Sequence, residues 1–224
     1  DFADSVVNAI SLSLEIKKRR LIQEELKTQK EILHHYAHHD ALTGLPNRFL
    51  FDDRLNQSIK QAQRDATKIA ILFVDLDHFK GVNDSMGHKV GDELLVEVAK
   101  RLKSQIRQTD TLARLGGDEF AILMPESDDN GARILAKKIL QELATIHLEY
   151  GTVRHKITAS IGIVHYPLHD ASIHELLTFA DLAMYKAKTN GKSNYHEFSA
   201  DDQTRQELET RVFWKHQIED ALEN

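Results

Sequence analysis

The stretch Thr111-Leu112-Ala113-Arg114-Leu115-Gly116-Gly117-Asp118-Glu119-Phe120-Ala121-Ile122-Leu123-Met124 carries two short apolar runs joined at a pair of glycines. Glycine enters the conformations of a tight turn without a side-chain clash. The pattern therefore predicts a β-hairpin with strands over 111–115 and 120–124. Upstream, Ile69-Ala70-Ile71-Leu72-Phe73-Val74 is apolar without a break, as suits a central strand covered on both faces. Between this run and the hairpin, Val90, Leu94, Leu95, Val98 and Leu102 form the stripe of a helix over 89–106. Downstream, the spacing predicts a helix over 130–144, a strand over 156–164, a helix over 173–189 and a short strand over 195–198. Gly162, inside the 156–164 strand, marks a close approach by another element. A polar loop, Thr43-Gly44-Leu45-Pro46-Asn47, and a helix over 48–64 precede all of these. The order strand, helix, hairpin, helix, strand, helix predicts an α/β (α+β) sandwich of ferredoxin-like type around a central antiparallel sheet.

Flanking segments differ in texture from this core, dividing the chain into 1–39, 40–199 and 200–224. Residues 5–39 contain no glycine or proline and place Val7, Ile10, Leu14, Leu21, Ile22, Leu26, Leu33 and Tyr36 at steps of three, four and seven. That is a long amphipathic helix of about 50 Å, with a seam that shifts by one residue near Leu21-Ile22. Two readings bury its stripe: a coiled coil with a second copy, which is preferred, or packing against its own globular domain. The N-terminal Asp1-Phe2-Ala3-Asp4 has no basic n-region and reads as a cut inside a longer protein, with residues 1–15 ending an upstream sensor domain. Residues 201–224, with Leu208, Val212, Ile218 and Leu222 at helical spacing, read as a linker helix leaving the domain.

Charge and composition exclude some functions. With 29 basic and 35 acidic residues the net charge is −6, which argues against binding a nucleic acid polymer but not against a small phosphorylated ligand. No apolar run approaches the ~20 residues that span a bilayer, so no membrane contact is expected from this segment. The absence of cysteine fits a reducing compartment. The expected location is cytoplasmic, within a larger protein that is tethered to a membrane or free of one.

Three clusters of chemical interest fall where strands end. The first is Asp75-Leu76-Asp77-His78-Phe79-Lys80, whose carboxylates at a strand tip are suited to Mg²⁺, although most Asp-x-Asp pairs are solvated turn residues. The second is the hairpin turn itself, where Gly116 and Gly117 admit a ligand close to the backbone and Asp118 and Glu119 follow. In a ferredoxin-like sheet the first strand lies near the hairpin, so Asp75 and Asp118 are expected to converge on one metal. The third is Lys188 and Lys192 about Gly191, either an ordinary basic helix end or a cation pair for a polyphosphate.

Together the clusters belong to a larger pattern. It runs through Asp40-x-Leu42-Thr43-Gly44-Leu45-x-Asn47-Arg48, Asp75-x-Asp77-x-Phe79-Lys80-x-x-Asn83-Asp84 and Gly87-His88-x-x-Gly91-Asp92-x-x-Leu95. It continues through Arg114-x-Gly116-Gly117-Asp118-Glu119-Phe120 and Tyr185-x-Ala187-Lys188-x-x-Gly191-x-x-Asn194. Over residues 40–198 the chain resembles the GGDEF-type diguanylate cyclases, which condense two GTP molecules into cyclic di-GMP. The resemblance implies a nucleotidyl-cyclase palm-type domain. It implies two Mg²⁺ (or Mn²⁺) per half-site, held by Asp75, the Leu76 carbonyl and Asp118. The triphosphate would lie on the backbone at His78 and Phe79 and on Lys80, Lys188 and Lys192, with Gly116 and Gly117 against the substrate. Asn83 and Asp92, with His88 nearby, would read the guanine edge. Asp118 would accept the proton and Glu119 would support the metal site or the turn. One domain binds one GTP, so the resemblance also implies a homodimer.

Arg107-Gln108-Thr109-Asp110 stands at the spacing of the family's inhibitory site for cyclic di-GMP, and Arg114 is grouped with Arg107 and Asp110 there. Lys137 or Lys138 takes the place of a further arginine, and Lys192 stands where many members carry arginine, so charge is kept and bidentate geometry lost. Two readings compete with an active cyclase: a silent GTP-binding module regulating a linked EAL phosphodiesterase, and a cyclase making a monomeric cyclic nucleotide. His34, His35, His38 and His39 form two i,i+4 pairs, either a Zn²⁺ site or solvated histidines at a helix C-terminus.

Overall fold

The computed structural model describes residues 17–26, 29–30, 33, 35–150, 153–167 and 171–199. Helix α1 (Arg48–Asp65) leads into β1 (Ile69–Leu76), α2 (Phe79–Met86) and α3 (His88–Gln105). The hairpin β2 (Thr111–Gly116) and β3 (Glu119–Pro125) follows, then α4 (Asp129–Leu143) and a small hairpin β4 (His147–Tyr150) and β5 (Val153–Lys156). The chain closes with β6 (Ala159–Tyr166), α5 (Ile173–Thr189) and β7 (Tyr195–Glu197).

Local chemistry fixes the ends of these helices. The Asn47 side chain accepts the Leu50 N–H at 3.1 Å to start α1, and Ala66 ends it in the left-handed region at φ 53°. Asp128 caps α4 through Gly131, and Ser172 with Glu175 forms a reciprocal capping box on α5.

The five-stranded sheet has the order β2-β3-β1-β6-β7, whose first four strands are the antiparallel ferredoxin-like arrangement. The central strands are antiparallel as expected, and one edge adds a parallel pair: β7 runs parallel to β6. Its cause is α5, which carries the chain back along the sheet before β7 begins, so β6 and β7 run the same way. The strand expected over 156–164 is also divided: Lys156 closes the small β4–β5 hairpin, and β6 starts at Ala159. Neither α2 nor the β4–β5 hairpin is expected from the sequence.

β1 is buried along its whole length, and its alternation builds two cores. Ala70, Leu72, Val74 and Leu76 join Leu94, Leu95, Val98 and Ile139 beneath α3 and α4. Ile69, Ile71 and Phe73 join Phe51, Leu55, Leu176 and Ala180 beneath α1 and α5. At the strand tip this second face turns from apolar to acidic, since Asp75 continues the row of Ile69, Ile71 and Phe73 toward α5 and Asp77 follows in the turn past the strand.

Residues 17–26 and 35–38 are helical and expose Leu21, Ile22, Leu26 and Tyr36 to solvent, as Leu33 is exposed. The expected helix before residue 17, the sensor end over 1–15, His34 and the linker helix over 201–224 lie outside the described residues. No described helix is long and apolar enough to cross a membrane.

Candidate active site

The site lies at the C-terminal end of β1, where β1, the β2–β3 turn and the end of α5 meet. Asp75 pairs in register with Glu119 of β3, and the Leu76 N–H reaches the Asp118 carbonyl at 3.4 Å. The turn between them needs its glycines: Gly116 sits at φ 147° and Gly117 at φ 50°, with a register shift between Arg114 and Gly116.

The Asp75 carboxylate, 7% exposed, is held by Lys188 Nζ at 2.7 Å from the last turn of α5. Burial drives its carboxyl up to about 6, the Lys188 bond opposes this, and the charges of Asp118 and Glu119 add to the rise. Asp75 and Asp118 therefore do come together. The donors are all oxygen, which suits a hard divalent cation such as Mg²⁺. Among the described residues, however, no three such side chains are gathered at common ligating distance; Lys188 pairs with Asp75, and Arg48 lies 3.8 Å from Glu119.

Around this centre, Lys192 Nζ lies 3.1 Å from His78 Nε2. His78, in the left-handed region at φ 63°, starts α2, and no side chain caps that helix end. Phe79 is buried in the core and Lys80 is exposed on the first turn. Further along α2, Asn83 lies over Gly91 of α3: a Cβ at Gly91 would stand 1.9 Å from Asn83 Oδ1. That oxygen is buried without a hydrogen-bond partner, so the half-buried Asn83 side chain keeps an unsatisfied acceptor. Asp92 and His88 are exposed beside it on α3.

Arg107 and Asp110 stand apart from this centre. They line a cavity of about 110 Å³ with Gln105, Met124, Gly131 and Lys138, which singles out Lys138 rather than Lys137 as the further cation there. Asp110 Oδ2 also accepts the Arg107 N–H at 2.8 Å, so the carboxylate shapes its own turn. Arg114, grouped with these two by the sequence reading, lies elsewhere. Its Nη1 meets both Asp40 oxygens at 3.0 Å, and its Nε and Nη2 donate to the Gly117 carbonyl at 3.0 and 2.8 Å. Asp40 further accepts Thr43 N–H and Oγ1–H at 2.8 and 2.6 Å. Burial alone would raise the Asp40 carboxyl, but the Thr43 and Arg114 bonds override it and hold the group below its usual value. This bracket ties Asp40, two residues past the helical stretch 35–38, to the Gly-Gly turn.

At this same end of that helix, His35 and His39 bring their Nδ1 atoms within 2.8 Å of each other, while His38 packs edge-on against Phe49. No cluster of three potential ligands forms there among the described residues.

A ferredoxin-like sheet whose central strand ends in opposed carboxylates flanked by lysines defines a palm-type nucleotidyl cyclase domain. More specifically, this chain belongs to the diguanylate cyclase GGDEF domain family, whose sequence pattern matches residues 37–194. It is 41% identical over 220 residues to the bifunctional diguanylate cyclase/cyclic di-GMP phosphodiesterase MucR of Pseudomonas aeruginosa, covering 97% of this chain and 31% of MucR. It is 42% identical over 175 residues to the diguanylate cyclase TpbB of the same species, covering 77% of this chain and 40% of TpbB. The chain thus spans less than half the length of these curated relatives. The coiled coil and GGDEF domain of DgcB from Caulobacter crescentus, solved in complex with c-di-GMP, superposes with a TM-score of 0.77 at 29% identity. That match covers 84% of this chain and 99% of DgcB's.

Proposed function

We propose that this chain is an active diguanylate cyclase domain that joins two GTP molecules into cyclic di-GMP and releases two pyrophosphates. The observation that carries the reading is the carboxyl of Asp75, buried against its own preference for solvent beside Asp118 and Glu119. Lys188 offsets only part of the cost of that burial, since the Asp75 carboxyl still stands at about 6, so the three acids call for a further cation. Asp75, Asp118 and the Leu76 carbonyl would hold the divalent ions, with Glu119 in support. When bound, Mg²⁺ or Mn²⁺ supplies charge stabilisation at the phosphoryl oxygens. Lys188, Lys192, Lys80 and the backbone at His78–Phe79 bind and orient the triphosphate, placing its α-phosphorus for in-line attack by the 3′-hydroxyl of the second GTP. Asp118 takes the proton from that hydroxyl. Asn83 and Asp92 accept from guanine N1–H and N2–H, groups that adenine does not present, so a pocket built for them disfavours ATP.

Two finer features belong to the same reading. Since one domain holds one GTP, turnover takes two copies face to face, and the exposed apolar stripe of the N-terminal helix pairs them. The cavity at Arg107, Asp110 and Lys138 takes the product as an inhibitor, with cations for its phosphates and a carboxylate for its guanine N–H groups.

Incubation of the chain with Mg²⁺ and GTP should yield cyclic di-GMP and pyrophosphate, and Asp118→Ala should lose turnover by about a hundredfold or more with an unchanged fold. Absence of product under conditions where the chain is dimeric would instead favour a silent GTP-binding module. Arg107→Ala should leave the initial rate intact and raise the concentration of added product needed to inhibit; identical inhibition would remove the cavity from the scheme.

A further inference from the structure

Asp77 is the first residue past β1, in the turn that follows the strand, and is buried, 8% exposed. Its Oδ1 accepts Ser160 Oγ–H at 2.7 Å. Its Oδ2 accepts Thr158 Oγ1–H at 2.8 Å and the backbone N–H of Ser193 at 3.0 Å. Two of these bonds join β1 to the β6 side, a task that a neutral residue performs without burying a charge. The third reaches across the site to the turn after α5.

That turn is unusual. Gly191, Lys192 and Ser193 stand consecutively at φ 103°, 59° and 51°, and L-residues such as Lys and Ser hold this region only where their surroundings fix it. From one side, Asn194 Nδ2 donates to the Lys192 carbonyl at 3.0 Å and the Ala187 carbonyl at 3.2 Å. Asp77 holds it from the other. Lys192, between these anchors, sends its ammonium back over β1 to His78.

We propose that Asp77 is a positioning residue for substrate binding: its carboxylate locks the Lys192-Ser193 turn and so sets the Lys192 ammonium toward the triphosphate. The inference rests on the reading above that Lys192 binds the triphosphate. It gives the second acid of Asp75-Leu76-Asp77 a role separate from the first, acting on phosphate through backbone rather than on metal.

A mutant cycle on the full chain tests it, with dissociation constants for a non-hydrolysable GTP analogue and for GMP, which lacks the β- and γ-phosphates. Asp77→Ala should weaken the analogue about tenfold while leaving GMP within about twofold, and Lys192→Ala should do the same. Acting through one group, the two changes together should be no worse than Lys192→Ala alone. Asp77→Asn keeps an oxygen for the Ser193 N–H and turns its amide toward the Ser160 hydroxyl, so it should recover binding to within about threefold of the parent. If Asp77→Ala does not fold, Asp77→Ser takes its place in the cycle, since its hydroxyl pairs with Thr158 or Ser160 but falls short of Ser193. Multiplicative losses, or equal losses for GMP and the analogue, overturn the proposal and leave Asp77 a strand-joining residue. If Lys192→Ala does not weaken the analogue, the proposal falls too, and the fault then lies in the phosphate reading of Lys192.

Discussion

At the scale of single residues, Asp75 works against the fold that carries it. Burial lifts its carboxyl to about 6, Lys188 opposing and Asp118 and Glu119 adding, against an ordinary value of 3.8. The folded chain therefore holds this proton more tightly than the unfolded chain. The sign follows: stability falls as the pH rises from 3.8 to about 6 and stays low above it. Asp75→Asn removes the charge, so in EDTA it should unfold at higher urea than the parent at pH about 7.5, with the gap shrinking as the pH is lowered through 6 and turnover lost throughout. Urea midpoints for both chains at several pH values decide this, and a pH-independent gap would contradict the linkage. The placement of Asp75, Asp118, Lys188 and Lys192 at the ends of their elements is legible in the sequence because strand tips, Gly-Gly turns and helix ends are local patterns. The role of Asp77 is not, because its partner Ser193 is 116 residues away. Arg114 shows the same limit: sequence grouped it with nearby Arg107, whereas its partner Asp40 lies 74 positions upstream.

At the scale of elements, what could be read was whatever carried an apolar period. β1, α3, the β2–β3 hairpin and α5 announce themselves through buried stripes, and α5 runs over the residues expected, Ile173–Thr189. The short α2 does not, since its Gly81, Asn83 and Asp84 have low helix propensity and only Phe79 is buried. The parallel edge at β7 is likewise invisible locally, since only the path of α5 sets its direction. Gly162 was legible for a physical reason the structure now supplies. A Cβ there would stand 2.1 Å from the Ala180 carbonyl oxygen and 2.3 Å from the Met184 nitrogen, both backbone of α5. No side-chain rotation relieves such a clash, so α5 must lift off β6. Gly162→Ala should cost about 3 kcal/mol. It should also lower GTP affinity, because the lifted helix carries Lys188 away from Asp75. Chemical denaturation with parallel GTP binding checks both effects. A variant within about 0.5 kcal/mol of the parent would mean that the helix–strand contact is looser than drawn.

At the scale of the whole molecule, the proposed reaction cannot finish within one copy. Two phosphodiester bonds must form between two nucleotides, and each domain offers one set of acids, lysines and guanine acceptors. The rate then depends on how often two domains face each other, which in free solution scales with concentration but in a tethered pair does not. Leu21, Ile22 and Leu26 are 59%, 46% and 59% exposed on the helix that leads into the domain. Such a stripe is what a second copy would cover. The Asp40–Arg114–Gly117 bracket links the end of that helix to the Gly-Gly turn. Replacing Leu21 and Leu26 together by Glu should split the pair without touching the site. Activity per chain should then fall by about tenfold or more at nanomolar protein and recover as concentration rises, while the parent stays flat over the same range. Sedimentation at matched concentrations separates the two states. A variant that is monomeric yet keeps the parent's activity at every concentration would show that the domains meet through another surface, and the helix would lose its mechanistic role.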